Sequence, residues 1–529
     1  MKLFLFLLVS CLFAVTDGYK VLVVSQIFGH SHANFMGRLA DLLTEHGHNV
    51  TVLMPVVDVK ELDRNGVHLT KDVKVVMPSE KTKNLMANMG GDLFKTLWTV
   101  SPNVFAQISM SSVMGETFKS SCNDILESTE LLQQLRDEKY DIALAEPFYF
   151  CGIGLLEVLN IPVTAAASSA VQVDAFFHLI GEPILPSYVP NTMSTSGSKL
   201  GFIDRAINLF GSYASIAFFE NIYSIEYQAF IEKYGPNFKS YKEIASEVSY
   251  SFTNSNPYLN FPRATNPKTI DIGGITINKK KLKAKLSDEK LSKILDERKK
   301  TVLLSFGSVA KSKDMPDIYK KTILQAFKEM DDVTFIWKYE EDTDMVDGIK
   351  NVHLVKWLPQ VALLNDDRLD LFITHGGLGS TLEVAHLGKP AIFVPIFADQ
   401  YRNALMLARF NGSLVLQKTD LDNVEIIKSS IRTVLNDDKY SKNAKKISNV
   451  LMLNPNDAAR LFVDHIEFAA SVGRIPNLET DSRHLSFTQI HSADVYFALV
   501  AVLLVLVLLI VTVFHFVCKC LCVKKVKKE

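Results

Sequence analysis

From Thr374 to Gln400 the chain reads THGGLGSTLEVAHLGKPAIFVPIFADQ, which places His375, then Gly376, Gly377 and Gly379, then Glu383, then Asp399 and Gln400 in close succession. LDLFIT (369–374) before it has the character of a buried strand, HGGLGS that of a turn, and TLEVAHLG that of a helix start. A strand that ends in a glycine-rich turn leaves backbone N–H groups at a helix N-terminus free to face an anion, and phosphate is the natural one. The glycines allow close backbone approach and His375 can donate to a phosphate oxygen. Glu383 is placed to accept from ribose hydroxyls, and Asp399 and Gln400 follow the carboxyl end of the next strand. A diphosphate joined to a nucleoside on one side and to a polyhydroxyl group on the other would use all of them.

The elements that must position these residues form two halves with one grammar. Short β-branched runs alternate with helical stretches, which argues for parallel βαβ units. Strands are expected at 20–25, 49–55, 73–77, 140–145 and 161–166 in the first half, with a helix at 32–46. In the second half they are expected at 301–306, 333–339, 351–357, 369–374 and 391–396. The fold class is α/β: a first Rossmann-like domain at 19–275, a lysine-rich linker at 276–300, and a second such domain at 301–450, with helices approaching a membrane at 451–494. The aromatic stretch 210–234 has apolar positions at helical spacing and reads as core packing.

The segment 357–400, WLPQVALLNDDRLDLFITHGGLGSTLEVAHLGKPAIFVPIFADQ, resembles almost position for position the signature of the UDP-glycosyltransferases, in particular the membrane-bound animal UDP-glucuronosyltransferases. The resemblance extends over nearly the whole chain and implies a GT-B fold, two Rossmann-like domains facing a cleft. It implies that Trp357 stacks on uracil, that Gln360 meets the nucleoside, and that His375 with the turn amides of Gly377, Gly379 and Ser380 holds the diphosphate. Glu383 would hold ribose, Asp399 and Gln400 the sugar, and Ser308 in SFGS and Arg263 in NFPR would contact the diphosphate. Vertebrate relatives commonly carry Asn at the place of Gly379, so a side-chain contact there passes to backbone or to Ser380.

FGHSHANFMGRLADLLTEHGHNVTVL (28–53) resembles the family's first strand, turn and helix, and counting back from Gly47 and His48 puts His32, rather than His30, at the catalytic histidine. An alcohol is a poor nucleophile until its proton is removed, and a histidine near neutral pKa suits that task. The resemblance implies an acid partner after a later strand, and YDIALAEPFYFCG (140–152) offers Glu146 where many relatives have Asp. The expected reaction is inverting transfer of a sugar from a UDP-sugar to a small lipophilic acceptor, with glucuronate the donor sugar that the resemblance favours. The UDP-sugar is a co-substrate, and no cofactor or metal is required. Glucosyl or galactosyl transfer to a lipid such as ceramide, and a non-catalytic lipophile carrier, are the alternatives. A dinucleotide oxidoreductase would need G-x-G-x-x-G after the first strand, where the chain has FGHSHANFMG. Asp342 and Asp344 (EDTD) read as a solvated turn, and no His/Cys cluster has zinc spacing.

The ends set the compartment. Residues 1–18 have the layout of a secretory signal peptide. Residues 495–517 carry no Asp, Glu, Lys or Arg and as a helix would run about 34 Å, enough to span a bilayer. The tail 518–529 holds Lys519, Lys524, Lys525, Lys527 and Lys528, which places it in the cytosol, and Lys525 with Lys527 resembles an endoplasmic-reticulum retrieval signal. The expectation is a single-pass type I protein of that membrane with lumenal domains, its oligomeric state left open. A net charge of −1 gives no electrostatic case for nucleic acid. Cys122 and Cys151 are the lumenal cysteines, expected as two buried thiols rather than a bridge. Of the sequons, Asn49 falls in an apparent strand and Asn411 is the loop-like glycosylation candidate.

Overall fold

The computed structural model describes residues 18–89, 96–99, 104–277, 282 and 285–526. Residues 1–17 of the expected signal peptide, 278–281 and 283–284 of the expected linker and 527–529 of the expected tail therefore lie outside the described residues. Residues up to Glu479 pack as one unit and Thr480–Glu529 as another.

The first unit holds two parallel sheets. In the first lobe β1 (Lys20–Val24), β2 (Asn49–Pro55), β3 (Asp72–Val76), β4 (Ile142–Ala145), β5 (Thr164–Ser168), β6 (Tyr250–Thr253) and β7 (Thr269–Asp271) run in the order β3-β2-β1-β4-β5-β6-β7. In the second, β8 (Lys300–Ser305), β9 (Val333–Lys338), β10 (Val352–Val355), β11 (Leu371–Thr374), β12 (Ala391–Phe393) and β13 (Ser413–Val415) run β10-β9-β8-β11-β12-β13. The central strands are apolar on both faces because helices cover both. Strand order reverses between β1 and β4 in one sheet and between β8 and β11 in the other. Ligands of such sheets collect outside the carboxyl ends at those points, which are where Glu146 follows β4 and His375 follows β11.

The helices that matter for the site are α1 (His30–Glu45), α2 (Val104–Glu127), α3 (Cys151–Val158), α4 (Asp174–Leu179), α5 (Phe202–Tyr234), α6 (Glu289–Leu295), α7 (Gln360–Asn365), α8 (Leu378–Leu387), α9 (Gln400–Ala408) and α10 (Ala458–Val472). On α1 the inward stripe Phe35, Met36, Leu39, Leu42 and Leu43 is fully buried, each such side chain stabilising the fold by roughly 1.5–3 kcal/mol. The apolar side of α6, in the lysine-rich stretch, joins the second lobe's core through Leu291, Ile294 and Leu295. After Met452 the chain returns, and α10 lays Phe462, Val463 and Ile466 against the first sheet. The second unit carries α11 (Ala493–Val526), whose stretch Ala493–Cys520 is long and apolar enough to cross a membrane.

Several expectations change; the strand expected at 161–166 runs Thr164–Ser168, and β6, β7 and β13 are additional. Cys122 on α2 and Cys151 at the head of α3 form a disulfide, with Cα atoms 5.7 Å apart, instead of two thiols. Their 29-residue separation hides that α2 runs back alongside the loop after β4. Trp357 lies beyond β10, which stops at Val355 ahead of Pro359 rather than running to 357. β12 stops at Phe393 rather than 396, since the N–H groups of Ile396 and Phe397 donate to the Gln400 side chain instead of a sheet partner. Asp342 and Asp344 lie on the exposed loop after β9, as the sequence indicates.

Candidate functional site

The glycine turn begins where β11 ends. Gly376 has φ +85°, and a Cβ there would come within 2.9 Å of the Gln400 carbonyl oxygen, so the turn can pack against the start of α9 only with glycine. Gly376→Ala is expected to cost about 1–3 kcal/mol through backbone strain. A thermal-unfolding scan with UDP titration should show a lower midpoint and weakened binding; an unchanged midpoint and affinity would mean that this packing is dispensable. Gly377 caps α8 without a side-chain hydrogen bond, and the Thr381 N–H is bonded back to the Gly377 carbonyl. The amides of Leu378, Gly379 and Ser380 precede that bond and form the partially positive start of the helix.

His375 sits between two glycines. Cβ atoms at Gly307, after β8, and at Gly377 would each fall 2.6 Å from its ring. Burial and the nearby Lys338 ammonium push its pKa down to about 4, so the imidazole is neutral and has one N–H to donate. Ser308, next to Gly307, is exposed on the same edge. Gly379 is exposed as well, and a Cβ there would meet nothing within 4 Å, so the asparagine of vertebrate relatives would fit.

Gln360 opens α7 and its Nε2 donates to Ser380 Oγ at 3.0 Å and to Glu383 Oε2 at 2.6 Å, which joins three expected ligand residues in one cluster. Burial raises the Glu383 pKa, opposed by the Gln360 hydrogen bond. Trp357 is 70 % exposed, an indole face open for stacking, with the Arg64 guanidinium of the first lobe 5.9 Å from its ring centroid.

At the β12–α9 turn Ala398 holds φ +52°, a left-handed conformation that costs a non-glycine residue about 1–3 kcal/mol and sets the angle of Asp399. Asp399 accepts from Asn403 Nδ2 at 2.8 Å. Burial raises its carboxyl pKa, against the lowering effects of Asn403 and of His32. The Gln400 side-chain oxygen Oε1 accepts from the N–H groups of Ile396 and Phe397, while its Nε2 has no protein partner among the described residues.

His32, on the first turn of α1, has Nδ1 2.8 Å from Glu146 Oε1 and 2.9 Å from Ser169 Oγ. The Ser169 N–H donates to the same carboxylate oxygen at 3.1 Å. A carboxylate only accepts, so Nδ1 carries the proton and Nε2, with no protein partner among the described residues, presents a lone pair. Phe28 and Phe148 flank the imidazole at 4.8 Å. Burial alone would lower the His32 pKa; the Glu146 carboxylate, with Asp399 beyond it, outweighs this and leaves it raised. His30 faces the other way, its Nδ1 3.3 Å from the Arg64 carbonyl.

The loop carrying Glu146 is held from behind. On α5 the buried Glu226, its pKa pushed up to about 8 by burial, accepts from the N–H groups of Phe150 and Cys151. The Tyr223 hydroxyl donates to the Pro147 carbonyl, and the Tyr149 hydroxyl, beside Glu146, accepts from the Gln26 N–H. Sequence reasoning missed Ser169, Glu226 and Tyr149; only the sheet order that puts β5 beside β4 could have pointed to Ser169.

Not every expected residue joins the cluster. Arg263 is buried in the first lobe, paired with Glu182 and 3.9 Å from Asp271, with its guanidinium over the Phe177 ring. Asn411 is exposed at φ +58° on the turn after α9, while Asn49 opens β2.

Two parallel-sheet lobes, of seven and six strands, make the GT-B glycosyltransferase fold. Solved structures agree. The Phytolacca americana UGT2 structure, complexed with UDP-2fluoro-glucose and pterostilbene, has a TM-score of 0.56 at 17% identity over 86% of this chain and 100% of that one. CalG4, the calicheamicin glycosyltransferase, has a TM-score of 0.56 at 14% identity over 86% and 99%. Residues 19–529 match the family described as "UDP-glucoronosyl and UDP-glucosyl transferase", and the chain belongs to that family. Relatives from Caenorhabditis elegans include "Putative UDP-glucuronosyltransferase ugt-56", 31% identical over 468 residues (87% of each chain). Another is "Putative UDP-glucuronosyltransferase ugt-50", 26% identical over 94% of this chain and 95% of that one.

Proposed function

We propose that the protein transfers the sugar of a UDP-sugar, UDP-glucuronate being the preferred donor, to a hydroxyl or similar nucleophile of a small lipophilic acceptor. The observation that carries this reading is the His32–Glu146 pair, which leaves Nε2 free and whose imidazole charge is also favoured by Asp399 of the other lobe. The names of the nematode relatives support the choice of glucuronate.

In the proposed step His32 Nε2 takes the acceptor proton as the acceptor oxygen bonds to the anomeric carbon. The bond from that carbon to the diphosphate oxygen breaks, and UDP leaves with the electron pair. His375 and the amide-rich start of α8 stabilise the charge growing on UDP, while Asp399 and Gln400 hold the sugar hydroxyls. Attack opposite the leaving group converts an α-linked donor into a β-linked product. Trp357, Gln360 and Glu383 hold the nucleoside, and the step uses no metal. Ser308 and Arg263 are the further diphosphate ligands of this reading; Arg263 would have to leave Glu182 to serve.

The signal sequence, the apolar helix, the lysine-rich tail and the disulfide support a type I protein of the endoplasmic reticulum with lumenal lobes. Detoxification of lipophilic compounds is the role that such a reaction fits. Microsomes containing the full chain, given UDP-glucuronate, UDP-glucose and UDP-galactose in turn with a phenolic acceptor, test the reading. Glucuronide formation is expected. Transfer of glucose or galactose alone would overturn the donor assignment, and transfer of no sugar would overturn the activity.

A further inference from the structure

The seam between the lobes contains a buried cation that the reaction does not use. Arg402 stands on α9, two residues past Gln400, and is 1 % exposed. Its Nε donates to the Pro190 carbonyl at 3.3 Å, and its Nη2 donates to Gln172 Oε1 at 3.1 Å and to Asn260 Oδ1 at 2.7 Å. All three acceptors belong to the first lobe. The guanidinium also lies 5.4 Å from the Phe261 ring centroid, and Nη1 is buried with no partner among the described residues. Burial pushes its pKa down to about 10; the Asp174 and Asp399 carboxylates offset part of that cost, though neither lies within ion-pair distance, while Arg263 and Arg409 add to it. An apolar side chain of similar volume would fill the seam; what the guanidinium adds is direction.

That direction connects the two halves of the site. Gln172 lies in the β5–α4 loop, three residues after Ser169, which bonds both His32 and Glu146. Val171 of the same loop is buried in the second lobe's core, with Leu259 and Phe261. One turn of α9 therefore carries the sugar-side residues Asp399 and Gln400 at its start and a clamp on the histidine's own supporting loop immediately after. Arg409 repeats the clamp one helical span further on, donating to the carbonyls of Leu259 at 3.0 Å and Asn260 at 2.6 Å.

We propose that Arg402 is a positioning residue, an interlobe latch that sets the separation between the His32 base and the Asp399–Gln400 sugar site. The proposal rests on the reading of His32 and Asp399 given above. It predicts that loss of the latch slows transfer while the second lobe goes on binding nucleotide.

Arg402→Met keeps most of the volume and removes the hydrogen bonds. In the full-length protein kcat is expected to fall by about tenfold to a hundredfold, because small misplacements of reacting groups carry penalties of that order. The dissociation constant for UDP, read by quenching of tryptophan fluorescence, should stay within about twofold. Amide hydrogen exchange across 169–174 should rise. Gln172→Ala cuts the same latch from the other lobe, and the double variant should be no slower than the slower single variant. An unchanged kcat, unchanged exchange, or UDP affinity lost in step with kcat would overturn the latch. Wild-type protein that binds UDP but transfers no sugar would sink the functional reading instead, and the exchange measurement then decides the latch alone.

Discussion

His32→Ala is expected to lower kcat by about 10²–10⁴-fold, the usual contribution of a positioned general base, with UDP affinity nearly unchanged. The size follows from the geometry. Glu146 and Ser169 hold Nδ1, so the side chain has one free nitrogen and one orientation. No neighbour can replace it: His30 is turned to the Arg64 carbonyl, and Asp399 is committed to Asn403 on the sugar side. Initial rates in microsomes with saturating UDP-sugar, alongside UDP titration, separate the base from the binding site. Transfer by the alanine variant at the wild-type rate would remove the base from the mechanism.

Glu146→Gln is expected to cost nearly as much, about 10²–10⁴-fold in kcat, and to move the pH profile. A glutamine amide can turn its NH₂ toward Nδ1, which makes Nδ1 an acceptor and leaves the proton on Nε2, where a base is needed. The pH effect has a definite sign. Burial lowers the His32 pKa, and Glu146 and Asp399 reverse that to a net rise, so in the wild type the rate climbs with pH through a midpoint above the ordinary histidine value of 6.5. Without the carboxylate the histidine loses its proton at lower pH, and the rising limb moves in the acidic direction. Profiles of kcat/KM for both proteins check this, and an unmoved limb would mean that Glu146 does not act on the base.

The architecture was legible because its signals are local. After their opening lysines, runs such as KVLVV and KTVLLS are buried at every position and mostly apolar, as strands covered on both faces must be. The short edge strands β7 and β13 span three residues each and leave no such pattern, and β6 was hidden behind a long aromatic helix. The glycine turn was legible for a similar reason, since Gly376 answers a backbone requirement. What stayed hidden depends on chain segments that meet only after folding. Ser169 reaches the His32–Glu146 pair because β5 lies beside β4, and Cys122 meets Cys151 because α2 passes the β4 loop. Arg263 falls in a stretch that looks like a ligand segment, yet Glu182, about eighty residues earlier in the chain, holds its guanidinium.

The return of α10 to the first sheet has a mechanical consequence. The polypeptide passes between the lobes twice, outward through the lysine-rich stretch and back again after Met452, so the pair is hung on two cords rather than one. Two covalent crossings restrict how one lobe can twist against the other more than a single crossing would. Severing the outward cord would not free two self-sufficient pieces, because Phe462 and Ile466 would still be needed to cover the sheet they left behind.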